Sequence, residues 1–368
     1  MTPDPVRLLI LSNSLNIGGA QRFTGTLLKG LDRTRVRPEL ALLRDDIGYP
    51  LAAEIPVHPL DYDGAATLPR TIGKLCRLIR QTRPQVILGT GTAVNVVIGP
   101  ALLALAHRPA WIARVDIHRQ DLRLRKQILS RLYPMADAIV ANSAGMRLAL
   151  QSYYPRVKDK VALIHNPVDF EAVDQWARQG AAPIRTDRDL LLITVGRAYP
   201  AKRWDILLDA VARVLETTPV RLVCCGDGPL LHQFKAKARR MNIHDRVDFP
   251  GHCANPFSLL AQADLFVLSS DAEGLPNALI EAQGLGLCAV STRCDFGPDE
   301  IIDNGRTGLL VDTADAGQMA WAIQTLADNP ALRQEMGARA RALVRQRFDF
   351  QVRCRQWEDL IVSFAAIS

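Results

Sequence analysis

The chain alternates short, continuously apolar runs with amphipathic stretches, and it does so twice. In the first half the apolar runs fall at 6–12, 39–43, 86–89, 110–114, 137–141 and 161–164, with helical spacing over 20–31, 70–82 and 143–152. In the second half they fall at 190–195, 220–225, 246–249, 264–268, 287–291 and 308–311. Helices are predicted there over 203–216, 229–241, 256–262, 277–285, 315–328 and 330–347. A strand that is apolar at every position is buried on both faces, and strands separated by helices run parallel. Two such series predict an α/β protein of two Rossmann-like domains. The length of 368 residues agrees, since a domain holds roughly 100–200 residues. Asn166-Pro167-Val168-Asp169 closes one series, and the polar QGAAPIRTDRD at 179–189 precedes the next strand. The expected division is a first domain over 1–175 and a second over 185–349. Residues 350–368 then form an amphipathic helix that completes the second domain or packs back on the first.

Composition narrows the setting. Hydrophobic residues make up 48% of the chain, which fits a globular protein and neither a disordered nor a collagen-like one. The seven cysteines are odd in number, scattered, and form no CxxC pair. That argues against a disulfide framework or a Cys-based zinc site, and for a reducing compartment. The opening MTPDPVRLLILS lacks the basic stretch and long apolar run of a signal peptide, so a cytoplasmic protein is expected. Residues 86–106 are uncharged over about the length of a membrane span. However, Gly89, Thr90, Gly91, Thr92 and Asn95 break the segment into strand, turn and helix start, the pattern of a buried element rather than a spanning one.

Charge is unevenly placed. Through Asp174 there are 23 basic and 15 acidic residues; beyond it there are 22 and 23. The densest basic run is 114–131, RVDIHRQDLRLRKQILSR. At helical spacing Arg119, Arg123 and Lys126 share a face, with Arg125 and Arg131 nearby and Leu122, Leu124, Ile128 and Leu129 on the apolar side. Two readings stand: a solvated helix face, or a contact surface for an anionic partner such as nucleic acid, a membrane surface or a phosphorylated acceptor.

In open α/β sheets ligands bind beyond the carboxyl ends of the strands, so chemistry is sought in the loops that follow them. The first is LLILSNSLNIGGAQR, where Gly18 and Gly19 open a helix and let backbone N–H groups approach an anion. It is not GxGxxG, and no acidic residue closing a second strand suits a nicotinamide ribose, which disfavours a dehydrogenase. The second is LLITVGRAYPAKRWDILLDA. Gly196 ends a strand, and Arg197 and Lys202 place two cations beside a helix start, a good setting for a diphosphate. The third is SSDAEGLPNALIEAQGLG, with Glu273 and Glu281 flanking a helix that begins near Pro276 and Asn277. The amides of Gly274, Leu275 and Asn277 suit an anion, and each carboxylate accepts hydroxyl hydrogen bonds, as a sugar or ribose would offer. Asp61-Tyr62-Asp63 reads as a polar turn, and no metal cluster is apparent.

The ordered series VGRAYPAKRWDILLDA, CGDGP at 225–229, Gly251-His252, EGLPNALIEA, DFGPDEII and TGLLV resembles the C-terminal half of a GT-B-fold retaining glycosyltransferase of family 4, the glycosyl transferases group 1. GGAQR is similar to the GGAER-type loop of the same family. The resemblance covers nearly the whole chain and implies a GT-B architecture, two Rossmann-like domains facing each other across a cleft. It implies that Arg197 and Lys202 neutralise the donor diphosphate and that Glu281 holds the ribose. Glu273, Gly274 and Leu275 would bind the donor sugar, Gly18 and Gly19 would approach the diphosphate, and the Gly251-His252 region would meet the base. His118 falls where relatives carry an active-site histidine, although Asp116 or Arg119 are alternatives for that role. The chain departs from the family at Lys202-Arg203, where KG is common, and at Gln21, where Glu is common.

The resulting expectation is a metal-independent, cofactor-free, retaining glycosyltransferase of bacterial envelope glycan synthesis. It would move a hexose or N-acetylhexosamine from a nucleoside-diphosphate sugar, UDP favoured, to a polyprenyl-diphosphate-linked or oligosaccharide acceptor. The basic run suits a peripheral position at the inner face of the cytoplasmic membrane. The rivals are a GT-B-like nucleotide-sugar epimerase, for which no second convincing carboxylate is seen in the first half, and a basic nucleic-acid-binding protein. Against the latter stand 6% aromatics and no recognised binding motif.

Overall fold

The computed structural model describes residues 4–16, 18–49, 51–115, 123–180 and 189–365. It divides into two compact units, Met1–Pro167 with Phe350–Ser368, and Val168–Asp349. The first carries strands β1 (Val6–Ser12), β2 (Val36–Leu42), β3 (Val57–Pro59), β4 (Val86–Thr90), β5 (Ala110–Val115), β6 (Ala138–Ala141) and β7 (Val161–Leu163). They pair in the order β3-β2-β1-β4-β5-β6-β7. The second carries β8 (Leu190–Val195), β9 (Val220–Cys225), β10 (Val247–Gly251), β11 (Leu265–Leu268), β12 (Cys288–Thr292) and β13 (Leu309–Val311), ordered β10-β9-β8-β11-β12-β13. Neighbouring strands pair in parallel. In each sheet the chain works outward on one side of its first strand and then returns to build the other. The topological switch points therefore lie between β1 and β4 and between β8 and β11, where the strand-end crevice of such a sheet opens.

Successive strand residues point to opposite faces, and burial follows that rule. Leu192 of β8 enters a cluster with Trp204, Leu207, Leu222 and Val290. Its neighbours Leu191 and Ile193 enter another with Phe170, Phe266, Leu279 and Phe348 on the far face. Because both faces are covered by helices, the strands read as unbroken apolar runs rather than as an alternating pattern.

The sequence spacing places residues 168–175 with the first half, but contacts place them in the second unit. The helix Phe170–Arg178 buries Phe170 and Val173 against β8 and β11, and a Cβ on Gly284 would lie 2.3 Å from the Phe170 ring. Beside it the chain returns: the Val168 amide donates to the Phe348 carbonyl at 3.1 Å.

The C-terminal helix, Phe350–Ala365, packs on the first unit. Trp357 is fully buried against Phe23, with ring centroids 5.3 Å apart. A Cβ on Gly30 would stand 2.3 Å from the Cys354 sulfur, so only glycine admits this approach. The buried Glu358 carboxylate accepts from the Asp32 amide at 2.6 Å and from Arg35 at 2.8 Å. A buried charge needs such partners to be tolerated. The uncharged stretch at 86–106 resolves into β4 and the helix Thr92–Leu103. Among the described residues no helix is long and apolar enough to cross a membrane.

Candidate functional site

The site candidates of the second half lie along the carboxyl edge of the second sheet, around the β8/β11 switch point. The six-residue register of β8 with β9 brings Gly196 and Gly226 side by side just past the strand ends. Gly226 has φ 146°, and a Cβ there would fall 1.8 Å from the Gly196 carbonyl oxygen. A Cβ on Gly228, at φ 156°, would fall 2.7 Å from that of Ala198. The CGDGP loop is thus pressed onto the backbone of 196–198, which only glycine permits. The Ala198 amide donates to the Asp227 carbonyl at 2.9 Å. Arg197 is left exposed, with its guanidinium stacked over the Tyr199 ring at 4.6 Å.

A short 3₁₀ turn, Pro200–Lys202, carries the chain to the helix Trp204–Val214. The stem of Lys202 runs over Gly196, where a Cβ would sit 3.4 Å from Lys202 Cε. The ammonium Nζ reaches Glu273 Oε1 at 2.5 Å.

Glu273 comes from the loop after β11. The Ser270 hydroxyl donates to Glu273 Oε1 at 2.6 Å, the Ser269 hydroxyl donates to the Lys202 carbonyl at 2.7 Å, and Thr292 Oγ1 donates to the Ser270 carbonyl at 2.5 Å. Glu273, Gly274, Leu275 and Pro276 are buried and Asn277 half-buried. A second glycine loop supports them. Gly297, at φ 94°, approaches so closely that its Cβ would meet Pro276 Cδ at 2.7 Å and the Gly274 carbonyl at 3.0 Å. Glu281 lies one turn into the helix Asn277–Gly284 and is 3% exposed. His252 is exposed, one residue beyond β10 on the same carboxyl edge.

Two features of this edge were given no functional role from the sequence. Arg203, a residue that looked like a helix-start charge, bonds Asp205 and Asp271. Cys294, 4% exposed beyond β12, is pushed up to about 12 by burial, with the Glu273 charge adding and Lys202 opposing. It is a neutral thiol within the field of the Lys202–Glu273 pair. Its place after a strand end was the signal available.

In the first unit Gly18 caps the helix Gly19–Gly30, its carbonyl accepting from the Arg22 amide at 2.8 Å, with no acidic residue in the first turn. A Cβ on Gly18 would lie 2.4 Å from Gln21 Oε1. Deeper, the buried Arg114 stacks over Phe23 at 3.9 Å and donates to Asn166 Oδ1 at 2.9 Å. His118 and Arg119 lie outside the described residues. Arg123, Arg125 and Lys126 fall on the helix Arg123–Leu132, their side chains likewise outside the description. Asp61 pairs with Lys74, whose hydrogen bond and charge hold the carboxyl below its usual range. Among the described residues no group of three or more His, Cys, Asp or Glu could hold a metal ion.

The carboxyl edge of this sheet thus carries two cations, Arg197 and Lys202, on the loop after β8, and two buried carboxylates, Glu273 on the loop after β11 and Glu281 on the helix that follows it. Comparison with known proteins bears on family and fold. The family described as Glycosyl transferases group 1 matches residues 179–343, and Glycosyltransferase Family 4 matches residues 17–172. A relative from Campylobacter jejuni is 26% identical over 354 residues, 89% of this chain and 92% of its own. It is an N-acetylgalactosamine-N,N'-diacetylbacillosaminyl-diphospho-undecaprenol 4-alpha-N-acetylgalactosaminyltransferase. Among solved structures, Anabaena HepE in complex with UDP superposes with a TM-score of 0.79 at 20% identity, covering 98% of this chain and 100% of that one. Sucrose-phosphate synthase from Thermosynechococcus elongatus gives 0.84 at 18%, covering 99% and 100%. The two doubly wound halves are those of GT-B structures.

Proposed function

The chain belongs to the group 1 glycosyltransferases, its first half matching family 4, and on that premise we propose that it is a retaining, metal-independent hexosyl- or N-acetylhexosaminyltransferase. The donor is a UDP-sugar and the acceptor a polyprenyl-diphosphate-linked or oligosaccharide glycan of the bacterial envelope. The second unit takes the donor and the first the acceptor. The observation that carries this reading is the 2.5 Å Lys202–Glu273 pair at the β8/β11 switch point, with Arg197 on the same loop as Lys202. UDP in the HepE complex and the diphospho-undecaprenol acceptor in the Campylobacter relative's name support the choice of ligands.

The chemistry follows from the charges. In the donor-free protein Glu273 neutralises Lys202. An entering diphosphate competes for that ammonium, and Glu273 is released to accept a hydroxyl of the sugar. The bond from the anomeric carbon to the β-phosphate oxygen then breaks, its electron pair leaving with the nucleotide. Arg197 and Lys202 stabilise the charge that develops there. The acceptor oxygen bonds the anomeric carbon from the same face, and its proton passes to the departing phosphate oxygen. Glu281 holds the ribose, and His252 borders the base. The basic run with Arg119, Arg123, Arg125 and Lys126 meets an anionic membrane surface, which places the enzyme at the inner face of the cytoplasmic membrane.

A thermal-shift panel of UDP-, GDP- and ADP-sugars without metal tests the reading. A UDP-sugar is expected to raise the melting temperature of the wild type and not that of Glu281→Ala. No shift with any donor would count against it.

A further inference from the structure

Arg203 breaks a local rule where the donor site is built. Its backbone sits at φ 45° and ψ 44°, the left-handed region that disfavours every residue with a β-carbon. Of the non-glycine residues with positive φ among those described, it alone stands in the loop after β8. Glycine would take this conformation at no steric cost, so the side chain has to earn its place.

The contacts say how. Nε and Nη2 bond the Asp205 carboxylate at 3.1 and 3.0 Å, and Nη1 bonds Asp271 Oδ2 at 2.7 Å. Asp205 belongs to the first turn of the following helix, whereas Asp271 belongs to the loop that delivers Glu273. The other oxygen of Asp271, Oδ1, is buried and accepts no hydrogen bond. The orientation of that carboxylate therefore depends on Arg203. Two further bonds run between the same loops: the Asp271 amide to the Ala201 carbonyl at 2.8 Å, and the Ser269 hydroxyl to the Lys202 carbonyl at 2.7 Å. The Lys202–Glu273 contact is thus framed by three links, and the strongest is the guanidinium. A planar fork bridging two carboxylates is a task for arginine rather than lysine.

We propose that Arg203 is a positioning residue that, by fixing Asp271, sets where Glu273 stands relative to Lys202 and so governs recognition of the sugar part of the donor. This rests on the donor-site reading above. Its guanidinium is engaged with Asp205 and Asp271, so its effect on the donor runs through Asp271.

Arg203→Gly is an informative variant, because it removes the clamp and the backbone strain together and is expected to melt close to the wild type. Two readouts are taken on the full chain: hydrogen exchange of the Asp271 amide without ligand, and the affinities for UDP and UDP-N-acetylgalactosamine. The expected result is faster exchange at Asp271 and loss of roughly tenfold in the affinity that the sugar adds over UDP. UDP alone should bind as in the wild type. Arg203→Gly/Asp271→Asn should be no worse than Arg203→Gly, since the two residues act as one unit. Unchanged exchange, or an unchanged sugar increment with altered exchange, would overturn the proposal. A wild type that binds neither UDP nor the UDP-sugar would sink the donor-site reading instead, and the exchange arm would still decide whether the clamp exists.

Discussion

Lys202 and Glu273 are 71 residues apart in the chain and 2.5 Å apart at Nζ and Oε1, because β8 and β11 are neighbours in the sheet. Local spacing singled out each residue from its strand end, yet not their pairing. Arg203 and Asp271 are 68 residues apart, and from the sequence Arg203 was merely a charge at a helix start. Ser269 and Ser270 follow the strand expected at 264–268; in the fold one hydroxyl donates to the Lys202 carbonyl and the other to Glu273. At this scale the test is Lys202→Ala. Losing one charge-stabilising group costs about 10²–10³ in turnover by analogy with oxyanion-hole donors. The variant should keep its circular dichroism and lose most donor turnover; a folded variant at wild-type rate would remove Lys202 from the mechanism.

At the scale of elements, continuous apolar runs were reliable guides. The strand expected at 190–195 is β8, that at 220–225 is β9, and the helix expected at 330–347 is found over Pro330–Arg347. The two strands are buried on both faces, and the helix buries a stripe four residues apart, Met336, Ala340 and Val344, so local pattern and final environment agree. The elements without a reading are short or weakly patterned. β3 is three residues ending in proline, and the helix Phe170–Arg178 falls between the two series of strands. The C-terminal helix carried two options in sequence, and its contacts decide for the first unit. Trp357 there is buried against Phe23. Truncating a buried Trp costs about 3–5 kcal/mol, so Trp357→Ala should lower the denaturation midpoint by that much free energy. A loss within experimental error would show that the helix is not part of this core.

For the whole molecule, net charge is +7, with the excess before residue 175. If that half meets an anionic lipid surface, as proposed, association with phosphatidylglycerol vesicles should fall steeply with salt, since exposed charges are screened within about 10 Å at 0.1 M. Arg123→Glu with Lys126→Glu should abolish sedimentation with such vesicles; unchanged sedimentation would make the run a solvated helix face. Read alone, the sequence determined that the chain forms two parallel, doubly covered sheets, because unbroken apolar strands between amphipathic helices have no other way to hide both faces. It also marked the strand-end loops where chemistry collects. Only the tertiary structure decided which strand ends become neighbours, which half receives residues 168–175 and the C-terminal helix, and that Arg203 reaches across to Asp271. Apolar periodicity specifies burial, which is local and non-directional. Strand order and loop-to-loop ion pairs depend on packing between segments far apart in the chain, which no local spacing encodes.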